Sequence, residues 1–346
     1  CGNSIAANRP LVQQLILESM RCWAKELGVD GFRLDLGVAL SRGEGLKPLD
    51  KPPLFESIES DPELSDLKFI SEPWDCGGLY RLQDFPAKRV RTWNGYFRDD
   101  LRKFWKGDEN STWPLKERLL GSPGLYKNFP NPLEMSLNFI TAHDGFTLND
   151  LVCFNHKHNL SNGEQNRDGE NHNNSWNHGV EGPSSDAVLL SLRRRQQRNL
   201  LATMLLSPGV PMLLMGDEIS RSQGGNNNSW CQDNQLGWML WDEELCDMDL
   251  HLFVKRLLII RKNLPELFTP DKPHEEINLK KTDACSEDFW LQWHGVELAK
   301  PDWGEWSHTI AYSLNRQSNG GLMWMGLNAY SKTMKFELPS PTSSNW

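Results

Sequence analysis

Three carboxylates, Asp35, Glu72 and Asp144, each stand at or just beyond the C-terminal end of a short apolar run. Taken singly, an acid at such a place is as readily a helix N-cap or an ion-pair partner as a catalytic group. Taken together, they form the kind of acidic set that cleavage of a glycosidic bond needs. One carboxylate must stay ionised to attack or stabilise an oxocarbenium-like centre, and another must be protonated to release the leaving oxygen. Arg33 lies two residues before Asp35 on the same face of an alternating run, where its guanidinium can pair with that acid. Trp74 follows Glu72 by two positions and offers an aromatic wall, while His143 directly precedes Asp144. His143-Asp144 could equally be part of a metal site, yet no third ligand lies at helical or hairpin spacing nearby. His156, His158, His172 and His178 fall in a polar stretch and suit solvated loop positions.

Elements must hold these residues. Pro10 suits a first helical turn, and Leu11, Leu15, Trp23 and Leu27 recur at helical spacing until Gly28. Residues 29–36 then alternate, with Phe32, Leu34 and Leu36 on one face and Gly31, Arg33 and Asp35 on the other. Comparable strands are expected at 67–72, 136–142 and 209–215, with a weaker one at 89–93. Helices are expected between them at 99–106, 113–120 and 187–206. Strands alternating with helices, with polar residues gathered at strand ends, imply the α/β class and a (β/α) barrel. The polar stretch 153–185 is long enough to be functional or disordered, and a second Asn-rich stretch covers 224–233. Beyond a helix at 251–263, short alternating runs at 289–293, 308–314, 322–327 and 334–338 imply a small β-sandwich.

Composition excludes several classes. A formal net charge of −9 argues against a nucleic-acid partner, which would call for a basic footprint. The most apolar stretch, 200–216, is interrupted by Ser207-Pro208-Gly209 and Pro211 and is too short to span a bilayer. Arg193-Arg194-Arg195 suits an exposed helix face. The seven cysteines are scattered without a CxxC pair, which fits a reducing compartment better than a disulfide framework or a zinc site. Fifteen tryptophans are a high number; most suit the core, but flat rings carrying an N–H also suit the faces of sugars.

Three segments carry a resemblance to a known family. Val29-Asp30-Gly31-Phe32-Arg33-Leu34-Asp35-Leu36, Phe69-Ile70-Ser71-Glu72-Pro73-Trp74-Asp75 and Ile140-Thr141-Ala142-His143-Asp144-Gly145-Phe146 resemble signature segments of the α-amylase superfamily, in the family's order. Asn162-Gly163-Glu164, the run Asp168 to Asn177, Gly216-Asp217-Glu218 and Gly224 to Asn228 narrow this to the isoamylase and bacterial glycogen-debranching group. Two departures stand out: Leu34 where the family commonly has Phe, and Gly37-Val38 where it commonly has Ala-Ser.

The resemblance implies hydrolysis of α-1,6 branch linkages in glycogen, amylopectin or limit dextrin with retention of configuration. Asp35 would be the nucleophile and Glu72 the general acid/base. Asp144 would hold and distort the sugar, with Arg33, His143 and Trp74 as further substrate-binding residues. No metal, other cofactor, nucleic acid or membrane is implied, and the setting would be cytoplasmic or the plastid stroma. The alternative is a catalytically silent glucan-binding subunit, against which retention of all three acids argues. The resemblance also implies a partial (β/α)8 TIM barrel, about strands four to eight, over residues 1–270. A partial all-β sandwich domain would follow over 271–346. A half barrel with unpaired edges is expected to be poorly stable and inactive alone.

Overall fold

Pro10, with φ already helical and no N–H to leave unsatisfied, opens α1 (Pro10–Lys25) in the computed structural model, which describes residues 4–242, 246–264, 291–315 and 322–340. Ile16, Leu17 and Met20 carry the inward face of α1, whereas Leu11, Leu15, Trp23 and Leu27 are exposed. The following elements are β1 (Gly31–Leu34), α2 (Pro53–Ser60), β2 (Lys68–Ser71), β3 (Val90–Trp93), α3 (Gly95–Lys106) and α4 (Thr112–Leu119). Then come the one-turn helices α5 (Pro123–Tyr126) and α6 (Pro132–Met135), and β4 (Ser136–Phe139). Next are α7 (Leu148–Leu151), α8 (Ala187–Leu205), β5 (Val210–Met212) and α9 (Met248–Asn263). The chain forms two compact units: residues up to Asn94 with Gly121–Leu137, and Gly95–Leu120 with residues from Asn138 onward.

In the first unit β1, β2, β3 and the start of β4 pair in parallel and in chain order. Phe32 lies opposite Phe69, Phe69 opposite Val90, and Thr92 opposite Ser136. Leu34, Phe69 and Val90 share a buried cluster with Leu54, Phe55 and Ile58 of α2. Every expected strand is present here, but each is shorter. β1 stops at Leu34 because Leu36 takes a left-handed backbone, φ 42°, and so leaves the extended region. Gly37 then passes so close to β2 that a Cβ there would lie 1.8 Å from Ser71 Oγ.

In the second unit α3, α8 and α9 bury Phe97, Leu101, Phe104, Leu201, Leu205 and Val254 in one cluster, and β5 follows β4 in the sheet order. The stretch 153–185 is ordered mainly by amides. Asn159 Nδ2 donates to Asn227 Oδ1 at 2.8 Å, and Asn227 Nδ2 donates to Asn173 Oδ1 at 2.9 Å. Asn162 Nδ2 donates to Asn228 O at 2.8 Å, so the two Asn-rich stretches are stitched together. Arg194 and Arg195 are exposed, as expected of that helix face, but Arg193 is buried and donates to the carbonyls of Gly182 at 2.7 Å and Asn177 at 2.8 Å. A buried guanidinium has five donors to satisfy, and the loop's carbonyls satisfy several of them.

The C-terminal strands β6 (Leu291–His294), β7 (Thr309–Asn315) and β8 (Leu322–Asn328) form an antiparallel sheet in the order β6-β7-β8. Trp293 lies opposite Tyr312, which lies opposite Met325. The first residues of the expected 289–293 strand lie outside the described residues. The strand expected at 334–338 does not form: Met334 and Leu338 are exposed, and the backbone bond from Glu337 N to Val296 O at 2.8 Å is not extended into a ladder. The cysteines also depart from expectation, since Cys22, Cys153, Cys231 and Cys246 are free thiols but Cys76 is disulfide-bonded. Among the described residues, no helix is long and apolar enough to cross a membrane.

Candidate active site

β1 brings Arg33 to the end of the first unit's sheet, with Asp35 just past the strand, and the residue after β2 is Glu72. Arg33 Nη2 meets Asp35 Oδ1 at 3.1 Å and also contacts Glu72 Oε1, so one nitrogen bridges two carboxylates. The two acids differ sharply in environment: the Asp35 side chain is 68% exposed and that of Glu72 is 2% exposed. A carboxylate so buried needs partners on both oxygens. Glu72 has them, with Arg33 on Oε1 and the Leu36 N–H on Oε2 at 2.8 Å. Its main chain is fixed as well, its N–H donating to Leu34 O at 3.2 Å and its carbonyl accepting from Gly37 N at 3.1 Å.

Arg33 is itself seated on an aromatic ring. Its guanidinium carbon lies 4.6 Å from the Trp93 centroid, and Trp74 meets Trp93 edge-on at 6.1 Å. Trp74 is half-buried and packs on Tyr80 at 6.1 Å, so it stands as a wall with Trp93 behind it. Sequence reasoning pairs Arg33 with Asp35 alone and passes over Trp93, whose strand was the weakest of the five expected. Arg42 and Asp75 were also missed. Arg42 Nε donates to Asp75 Oδ2 at 2.6 Å and Arg42 Nη2 to Oδ1 at 3.2 Å, a two-pronged pair that pins the loop after Trp74. Burial works to raise the Asp75 pKa, but the Arg42 bonds and the N–H groups of Leu79 and Gly77 outweigh it and hold it below the usual range.

In the second unit, His143 and Asp144 lie on the loop between β4 and α7. Both are exposed, with His143 Nε2 3.6 Å from Asp144 Oδ2. The loop's fixing points are buried. Asp217 Oδ1 accepts the Leu148 N–H at 2.9 Å, Thr141 Oγ1 donates to Asp217 Oδ2, and Gly145 N donates to Asn227 O at 2.9 Å. Burial pushes the Asp217 pKa up to about 7 despite those two bonds. Asp150 at α7 is also buried, and accepts from Ser222 Oγ at 2.5 Å and Gln223 N at 2.8 Å.

Residues 292–346 match the family described as Isoamylase 1-3, C-terminal. The chain is 39% identical over 367 residues to "Isoamylase SU1, chloroplastic" of Zea mays, covering 100% of this chain and 45% of that protein. It is 39% identical over 341 residues to "Glycogen debranching enzyme" of Dickeya chrysanthemi, covering 98% of this chain and 49% of that one. A pullulanase from Paenibacillus barengoltzii, solved in complex with maltohexaose and α-cyclodextrin, superposes with a TM-score of 0.67. That comparison covers 98% of this chain and 47% of the pullulanase at 22% identity, so it bears on fold alone. The chain spans about half the length of the curated relatives it matches. Along that span it is similar in sequence to isoamylases and bacterial glycogen debranching enzymes, and its α/β fold is similar to that of a pullulanase.

Proposed function

We propose that this chain carries the acid machinery of a glycoside hydrolase that cleaves α-1,6 branch linkages in glycogen, amylopectin or limit dextrin with retention of configuration. The observation that carries the reading is the single Arg33 nitrogen between an exposed Asp35 and a buried Glu72. It keeps a pair of carboxylate oxygens no further apart than the roughly 5–5.5 Å that retaining chemistry uses. Asp35 attacks the anomeric carbon while Glu72 gives its proton to the departing glycosidic oxygen. A glycosyl ester on Asp35 forms as that bond breaks. Water, deprotonated by Glu72, then attacks the same carbon and frees Asp35. Both Glu72 oxygens already accept hydrogen bonds, so the acid step requires Oε1 to exchange Arg33 for the leaving oxygen, while Leu36 keeps hold of Oε2.

Asp144 holds and distorts the sugar, with Arg33 and His143 beside it as substrate-binding residues, and Trp74 supplies a stacking wall. The strands β1 to β5 stand for about strands four to eight of a (β/α)8 barrel over residues 1–270, with an all-β sandwich domain over 271–346. The setting is a bacterial cytoplasm or a plastid stroma. That placement rests on resemblance, because the thiol argument is weakened by the disulfide-bonded Cys76.

The test is release of reducing ends from amylopectin and from linear amylose. It uses the chain alone and the chain extended to the length of its relatives, beside Glu72→Gln and Asp35→Asn. The expected result is release from the branched polymer by the extended protein, reduced by about a hundredfold or more in each variant. Binding of the polymer with no release would instead assign a silent glucan-binding subunit.

A further inference from the structure

The loop that bears His143 and Asp144 carries both side chains exposed at its tip. Its backbone is held at Gly145, whose N–H donates to Asn227 O at 2.9 Å, and at its two ends. Thr141, just past β4, and Leu148, the first residue of α7, are the two ends, and a single buried side chain engages both. That side chain is Asp217, 1% exposed, on the turn that follows β5.

We infer that Asp217 is a positioning residue, whose carboxylate staples the two ends of the His143–Asp144 loop and so sets where those side chains stand toward a glucan. The inference rests on the proposed glucan-holding role of His143 and Asp144. Three features support the staple. Each carboxylate oxygen takes one end of the loop, Oδ1 the Leu148 N–H and Oδ2 the Thr141 hydroxyl. The loop between them bends through Gly145 at φ 110°, which glycine adopts as readily as a negative φ, so the bend by itself does not fix where the tip stands. The residues flanking the exposed pair are buried, Ala142 before it and Phe146 and Thr147 after it, so movement at either end is transmitted to the tip. A displacement of the order of 1 Å at a substrate-holding group is enough to cost about a hundredfold in rate.

The chemistry of the staple predicts which variants keep it. Asparagine at this position can accept from Leu148 N and donate to Thr141 Oγ1, so Asp217→Asn preserves both links. Asp217→Ala removes both, and Thr141→Val removes one while keeping the side-chain shape. The experiment measures kcat and KM on branched glucan for these variants, for Thr141→Ser and for Asp144→Asn, in the protein extended to its relatives' length. Each value is normalised to the folded fraction.

Expected are losses of roughly 10- to 100-fold in kcat for Asp217→Ala and Thr141→Val, with Asp217→Asn and Thr141→Ser within about threefold of the parent. A purely structural role would lower the folded fraction and leave kcat per folded molecule unchanged. If Asp217→Ala does not fold, Thr141→Val decides. Parental kcat in both Asp217→Ala and Thr141→Val, with activity lost in Asp144→Asn, overturns the staple alone. Full activity in Asp144→Asn removes the glucan-holding role, and this inference with it.

Discussion

The Leu36 N–H donates to Glu72 Oε2 at 2.8 Å from a left-handed backbone, φ 42°. One oxygen of the buried acid is thus held by main chain one residue beyond Asp35, and no side-chain substitution at Leu36 need disturb it. Proline would. It lacks the N–H and cannot adopt this φ, so Leu36→Pro should lower stability by about 3 kcal/mol or more. Leu36→Gly, which takes left-handed φ without strain, should leave the urea midpoint within about 1 kcal/mol of the parent. Equal midpoints for the two variants would contradict this account of the bond.

Gly37 and Ser71 are coupled by contact. A Cβ on residue 37 would lie 1.8 Å from Ser71 Oγ, which itself donates to Glu72 O at 2.9 Å. Gly37→Ala alone should destabilise by about 1–3 kcal/mol through overpacking. Adding Ser71→Ala should return part of that loss. A double-mutant cycle by chemical denaturation should therefore give a coupling of about 1 kcal/mol or more. Strict additivity would mean that the backbone shifts to make room.

Trp93 supports Arg33 from below at 4.6 Å. Trp93→Phe keeps a ring face for the guanidinium, whereas Trp93→Leu does not. Both leave some of the indole's volume empty, so both should lose stability, but only the leucine variant should also release Arg33 from its place between the acids. The expected readout is a larger fall in kcat than in thermal stability for Trp93→Leu, with the two falling together for Trp93→Phe.

Asp217 makes stability depend on pH in a defined direction. Burial raises its folded pKa to about 7, with Arg221 pulling down and Glu218 pushing up; the guanidinium of Arg102 also acts on it. The folded state then holds this proton more tightly than the unfolded chain. The associated stability is full below about pH 4 and is lost as pH rises through about 7. Asp217→Asn has no such loss. It should match the parent near pH 4 and exceed it above pH 7 by an amount on the order of a few kcal/mol, as read from unfolding midpoints across that range. A constant difference between the two proteins at all pH values would place the ionisation elsewhere.

The parts of this fold that follow from local pattern were legible in the sequence. The strands β1 to β5 could be placed because short apolar runs ended in polar residues, and α8 because its pattern is long. Strand lengths were not, since the ends of β1 are set by Leu36 turning left-handed and by Gly37 meeting Ser71, a contact between residues far apart in sequence. Burial misled in both directions. Arg193 lies inside because a loop's carbonyls await it, and Leu11 and Leu15 of α1 lie outside although their spacing is that of a packed face. Residue type and position pointed to Asp35, Glu72 and Arg33, which the fold brings together. Trp93 and Asp217 act through a ring face and a buried hydrogen-bond pair, and neither leaves a spacing signal.

The order of pairing in the first unit has a kinetic consequence. Each strand from β2 to the start of β4 docks beside the one made just before it, so the sheet can grow by accretion as the polypeptide emerges, closing only modest loops at each addition. Such growth depends on each joint in turn. The joint of β1 with β2 includes Gly31, where a Cβ would stand 2.1 Å from Lys68 O, so any side chain there obstructs the pairing beside which β3 and β4 are added.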